Sequence, residues 1–198
     1  MINKMEKVTS ILMVGVGGQG VILASEIVAE VMMHAGFDVK KSEVHGMAQR
    51  GGMVNSHIRF GSKVYSPVIK KAEADYLFAF EMLESLRFLD FLVKGTVILL
   101  NNQKILPPSV TSGDDAYPPD IAELLSSRYQ HVDVVDSLAI ANKAGNIKTS
   151  NIAFLGAVSK YFEVEEDLWK DTIAQFVPEN FLEVNLRAFS LGRQCLDT

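Results

Sequence analysis

An α/β fold is predicted by three features of the 198-residue sequence: short, wholly apolar runs, amphipathic helical stretches between them, and a glycine turn joining the first pair. Residues 11–14 form the first apolar run and read as a strand buried on both faces. Over residues 21–35, Ile22, Leu23, Ile27, Val31 and Met32 recur at helical spacing, and Gly36 follows as a C-terminal cap. Residues 37–40 supply a second strand, completing a βαβ unit with a right-handed crossover. Residues 41–52, KSEVHGMAQRGG, carry neither period and read as a loop. Residues 53–60 alternate, with Val54, Ser56, Ile58 and Phe60 facing one way and Asn55, His57 and Arg59 the other. Residues 61–63 then turn the chain into 64–69 to make a β-hairpin. Residues 76–80, 96–100 and 131–135 read as further strands and 82–92 as a helix. Residues 102–120, with Pro107-Pro108 and Pro118-Pro119, form an irregular surface excursion and the one candidate linker. From Ser137 the chain is helical, over 137–144, 151–162, 165–176 and from Pro178 onward. The sum is a single Rossmann-like three-layer domain over 1–198, with a mixed, mainly parallel sheet, a β-hairpin and a helical C-terminal region.

Asp and Glu total 24 against 19 Lys and Arg, a net charge of -5. That balance lacks the basic surplus that nucleic-acid binding requires. The single cysteine, Cys195, can form no internal disulfide, iron–sulfur cluster or CxxC zinc site, so no metal site is expected. Gly15, Gly17, Gly18 and Gln19 interrupt the apolar run that follows Lys4 and Lys7, which argues against a signal peptide. No uninterrupted run approaches the ~20 apolar residues of a membrane span. A cytoplasmic protein is the expectation.

Gly15, Gly17 and Gly20 form GxGxxG between strand and helix, where glycines permit a tight turn and let a phosphate approach helix-terminal N–H groups. Gly18 and Gln19 complete the candidate cofactor-binding turn, Gln19 as a side-chain donor. A Cβ at Gly17 is expected to disturb it. Val21 and Ile22 stand where a P-loop needs Lys and Ser/Thr, which excludes P-loop ATP hydrolysis. A dinucleotide site needs an acid near the end of the second strand; Lys40 and Lys41 occupy it, favouring a 2′-phosphate, and Glu43 follows. That the glycines serve only strand–helix packing stays open. The second loop offers His45, Gln49, Arg50, Gly51 and Gly52: an imidazole to shuttle protons or bind phosphate, a planar fork for an anion, and glycines that free backbone donors. A solvated His45 and an intersubunit salt bridge for Arg50 are the competing readings. Glu81 reads as acting at the N-terminus of the helix it precedes. Cys195 reads as a packing thiol, and no residue is assigned as catalytic.

VGVGGQGVILASEIVAE, KKSEVHGMAQRGGMVNSHIRFG, VYSPVI, ADYLFAFEMLESLRFL and GTVILLN together resemble the gamma subunit or domain of the 2-oxoacid:ferredoxin oxidoreductases. Within that family the likeness is closest to the beta subunit of the indolepyruvate enzymes. The resemblance implies the smaller subunit of a complex that oxidatively decarboxylates aryl pyruvates, with coenzyme A as cosubstrate and ferredoxin as acceptor. Thiamine diphosphate and the iron–sulfur clusters then belong to a larger partner subunit, ferredoxin is met through the complex, and the isolated chain is inactive. The chain agrees in lacking a GDG to NN thiamine motif, since Asp115 follows Gly113-Asp114 and Asn101-Asn102 precedes it. Residues 15–20 and 45–52 are expected to meet the partner near the active centre and to hold an anionic part of coenzyme A. A free-standing NAD(P)-binding dehydrogenase and a non-catalytic assembly module are the alternatives. The preferred 2-oxoacid, the stoichiometry and homo-oligomerisation in isolation stay open.

Overall fold

The computed structural model describes residues 7–45 and 52–196. Strands β1 (Thr9–Val16), β2 (Asp38–His45), β3 (Met53–Gly61), β4 (Ala74–Ala79), β5 (Leu92–Asn101) and β6 (His131–Val135) form one mixed sheet in the order β2-β3-β1-β4-β5-β6. The helices are α1 (Val21–His34), α2 (Met82–Leu86), α3 (Pro108–Thr111), α4 (Ile121–Ser126), α5 (Ser137–Ala144), α6 (Ser150–Ser159), α7 (Glu166–Phe176) and α8 (Glu179–Gln194). β1 is buried along its whole length because it is central, parallel to β4 and antiparallel to β3. Its alternate residues feed two cores. Ile11 and Met13 join Ile58, Phe78 and Leu99 beneath α1, α6, α7 and α8, whereas Leu12 and Val14 join Leu77, Ile98 and Leu100 beneath α2 and α4. The Rossmann-like three-layer arrangement therefore forms as predicted, and α5, α7 and α8 fall within a residue of their predicted bounds. α6 stops three residues early, at Ser159.

Several local expectations change. β2 is not the neighbour of β1, because β3 returns antiparallel between them. The hairpin is accordingly β2 with β3, in register from Asp38 opposite Gly61 to His45 opposite Val54. Residues 41–45, expected in a loop, complete β2. As an edge strand it carries charge in place of apolar alternation, which also blunts edge-to-edge pairing. Lys40 Nζ lies 2.9 Å from Asp38 Oδ1, and Lys41 Nζ lies 2.5 Å from Glu26 Oε1 and also binds Glu43.

Residues 64–69 form no strand, because side chains of the hairpin take the backbone groups a ladder would use. Val64 N–H donates to Asp38 Oδ2 at 2.9 Å, and Ile69 N–H donates to His57 Nδ1 at 3.1 Å. Arg59 Nη1 donates to the carbonyls of Ser66 and Val68, each at 3.3 Å. Lys40 and the Val64 N–H hold the Asp38 carboxyl down at about 2. The helix predicted over 82–92 ends at Leu86, a 3-10 turn follows over Leu89–Phe91, and β5 begins at Leu92. Thr96 fastens this early start, accepting Val93 N–H and donating to the Ala74 carbonyl. Residues 102–120 are irregular apart from α3, but they are no linker. Tyr117 Oη donates to Glu81 Oε1 at 2.7 Å and ties the excursion to the start of α2.

Burial disfavours the charged ring and holds the His57 pKa below its ordinary 6.5, and it is the neutral ring that accepts the Ile69 N–H at Nδ1. A depressed pKa in the folded state means the unfolded chain takes up the proton first as pH falls. Its stability contribution is full above about pH 6.5 and declines below that value. Thermal unfolding followed from about pH 7.5 to about pH 5 should fall more gently in His57→Gln than in the unmutated chain. Parallel curves would remove His57 from the acid sensitivity.

Candidate functional site

β1 and β4 are parallel neighbours, and the helices that follow them lie on opposite faces of the sheet. A crevice must open between their carboxyl ends, where ligands of open α/β sheets gather. The glycine turn occupies that crevice. Gln19 folds back over it: its Oε1 accepts Val16 N–H at 2.8 Å, and its Nε2 donates to the Phe80 carbonyl and to Gln103 Oε1, each at 2.8 Å. Asn101, at the end of β5, donates to the same two acceptors at 3.1 and 3.2 Å and accepts Ser137 N–H at 3.1 Å. One amide network thus joins the ends of β1, β4 and β5 to the start of α5. Gln19, read from sequence as a ligand donor, uses its side-chain amide within this network.

The left-handed backbone falls at Gly18 and Gly20, with φ of +103° and +76°, and not at Gly17, where the steric demand was expected. Gly20 has a second constraint, because a Cβ there would lie 2.6 Å from Asn151 Nδ2. A Cβ on Gly15 would lie 2.8 Å from Val21 Cγ2 and 2.9 Å from Phe80 Cβ. Gly17 N–H donates to the Gly52 carbonyl at 2.8 Å, so the end of the second loop is fastened to the glycine turn. β2 runs parallel to β1 through the intervening β3, which places the His45 backbone at the same edge of the sheet. Gln49, Arg50 and Gly51 lie outside the described residues.

Beside the turn is a cleft of about 460 Å³, lined by residues 17–20, by Gln103 and Ile105, and by Lys148, Ser150 and Asn151. Its charge has one sign. Neither first turn carries an acid; α1 begins at Gly20 with no capping side chain, whereas α6 continues a 3-10 turn over Ile147–Thr149 in which Asn146 Oδ1 accepts the Lys148 N–H and the Ile147 carbonyl accepts the Ser150 N–H. By contrast, carboxylates cap α2 and α5, from Glu81 and Asp136. The cleft therefore receives the uncapped N–H groups that open α1 and the positive end of the α6 dipole. Lys148 adds a full charge and has no carboxylate partner among the described residues. Lys40 and Lys41, the candidates for a 2′-phosphate, are instead paired with Asp38 and with Glu26 and Glu43.

Glu81 is 1% exposed and serves structure, as its place before the helix implied. One carboxylate oxygen accepts Glu84 N–H at 3.0 Å; the other accepts Ile105 N–H at 3.0 Å and the Tyr117 hydroxyl. Burial and this carboxylate push the Tyr117 phenol pKa up. Glu81 thereby fixes the wall that carries Gln103 and Ile105. Sequence reasoning missed Gln103, Lys148, Ser150 and Asn151. The one available signal was the basic, acid-free start KTSN ahead of an apolar helix.

Residues 10–195 match the family model described as pyruvate ferredoxin/flavodoxin oxidoreductase. Indolepyruvate oxidoreductase subunit IorB of Archaeoglobus fulgidus is 38% identical over 187 residues, covering 92% of each chain. Among solved structures, the gamma subunit of keto/oxoacid ferredoxin oxidoreductase from Geobacter sulfurreducens matches with a TM-score of 0.70 and 26% identity, over 96% of this chain and 99% of that one. The 2-oxoglutarate:ferredoxin oxidoreductase from Magnetococcus marinus shares the fold at a TM-score of 0.72 and 22% identity, over 96% of this chain and 31% of that longer one. With the family model, a relative of matching length and the fold in agreement, the chain belongs to the pyruvate ferredoxin/flavodoxin oxidoreductase family, as a small subunit of a 2-oxoacid:ferredoxin oxidoreductase.

Proposed function

We propose that this chain is the smaller subunit, without a redox centre, of a thiamine diphosphate-dependent enzyme that oxidatively decarboxylates an aryl pyruvate, and that its cleft holds an anionic part of coenzyme A. The observation that carries the coenzyme assignment is the meeting of the uncapped start of α1, the acid-free start of α6 and Lys148 around one cleft. A phosphate seated there accepts charge-assisted hydrogen bonds from backbone and ammonium donors. The aryl pyruvate assignment rests on the likeness to the IorB subunit.

The residues present do not fit an iron–sulfur cluster, because one cysteine cannot supply its thiolates. The electron and carbanion chemistry is accordingly assigned to a larger thiamine- and iron–sulfur-binding partner, with ferredoxin reduced through the complex and this chain inactive alone. Its own contribution is to bind, orient and close. No helix among the described residues is long and apolar enough to cross a membrane, and we place the complex in the cytoplasm.

The test is Lys148→Glu in a complex co-expressed with the larger subunit. The KM for coenzyme A should rise about tenfold or more, from loss of an attraction and gain of a repulsion, while the KM for the 2-oxoacid holds. An unchanged KM for coenzyme A in an assembled complex would remove the coenzyme from this cleft.

A further inference from the structure

Gln103 lines the cleft, and its amide is oriented from behind. Its Oε1 accepts two N–H groups, from Gln19 Nε2 at 2.8 Å and from Asn101 Nδ2 at 3.2 Å. Neither of those amides can be turned around. Gln19 Oε1 is committed to Val16 N–H and Asn101 Oδ1 to Ser137 N–H, and backbone N–H groups only donate. The assignment of oxygen and nitrogen therefore propagates from the backbone to Gln103. Gln103 must offer its oxygen to the network, which leaves Nε2 with two N–H donors that no described residue accepts. The stem is fixed as well: Gln103 N–H donates to the Asn101 carbonyl at 2.7 Å, and the Gln103 carbonyl accepts Met82 N–H at 3.1 Å.

We propose that Gln103 is a ligand-contacting residue whose side-chain N–H groups donate to an anionic oxygen in the cleft, a phosphoryl oxygen of coenzyme A. The identity of the ligand rests on the function proposed above; the orientation of the donors does not. Lys148 is a flexible point charge that tolerates an anion in many positions, whereas a clamped planar amide specifies where one acceptor oxygen sits.

Gln103→Glu tests this in the assembled complex. The substitution is isosteric and keeps the clasp, because one carboxylate oxygen accepts both N–H groups. The other oxygen places negative charge where the donors stood. The KM for coenzyme A should rise about tenfold or more, the KM for the 2-oxoacid should stay within about twofold, and Tm should stay within about 2 °C. An unchanged KM for coenzyme A in a folded complex overturns the inference. Lys148→Glu separates the two levels: if it raises that KM and Gln103→Glu does not, only the role of Gln103 falls, and if neither does, both proposals fall. Should Gln103→Glu fail to assemble, the unmutated complex decides. With ¹⁵N-labelled glutamine, the Gln103 side-chain NH₂ resonances should shift on saturation with coenzyme A, and their constancy overturns the inference.

Discussion

Gly156→Ala and Gly192→Ala are each expected to destabilise the chain by roughly 3 kcal/mol or more, at the upper end for a single added methyl group. α6 is buried on every side from Ile152 to Ser159, packed against α1, α5 and α8. Where it meets α8, the helix backbones touch. A Cβ on Gly156 would collide with the Phe189 carbonyl and lie 2.8 Å from Arg193 N, and one on Gly192 would collide with the Ala153 carbonyl. The obstacles are backbone atoms of hydrogen-bonded helices, so no side chain can rotate aside. The ~1 kcal/mol that Ala ordinarily gains over Gly in a helix has the opposite sign and is too small to offset this. Chemical denaturation of each variant measures the loss, with Gly95→Ala as the control, since a Cβ there meets nothing within 4 Å. A midpoint equal to that of the control would show that the two helices can separate without cost.

Gly20→Ala should combine a fold defect with a binding defect. The left-handed backbone at φ +76° costs about 1 to 2 kcal/mol for a residue with a Cβ, and the new methyl would lie 2.6 Å from Asn151 Nδ2. The Asn151 amide can swing aside, but its Cβ also lies 3.0 Å from the new methyl, so the start of α6 must shift slightly away from the start of α1 and the cleft both helices line changes shape. The expected result is a loss of about 2 kcal/mol in stability and a rise of about tenfold in the KM for coenzyme A. Adding Asn151→Ala should restore part of the stability, because it removes the amide contacts and leaves the backbone strain and a 3.0 Å contact with the Cβ at position 151. Full recovery would mean that the φ angle costs nothing, and no loss in the single variant would dismiss both constraints.

The elements that were legible in the sequence are those whose signal is local. β1 is a run of apolar residues closed by glycine, α1 repeats its apolar residues every three to four positions, and α7 and α8 do likewise. Each pattern depends only on neighbours along the chain, and so does the glycine turn between β1 and α1. The hairpin partner of β3 was misread because register and pairing are not local: Asp38, Arg59 and His57 capture the backbone of residues 64–69 through side chains that a count of apolar positions ignores. β2 was cut short because an edge strand needs charge more than alternation.

The candidate site divides in the same way. By itself, the sequence determined an α/β chain with a phosphate-compatible glycine turn at the end of a buried strand, since turn geometry and helix initiation are properties of a few consecutive residues. The tertiary structure alone decided what faces that turn. Gln103 reaches Gln19 across 84 positions, and Asn151 abuts Gly20 only because sheet order and the glycine contact of α6 with α8 bring the start of α6 to the same edge. Packing, a sum over distant contacts, places the starts of α1 and α6 and the lysine together, and no local pattern encodes that meeting.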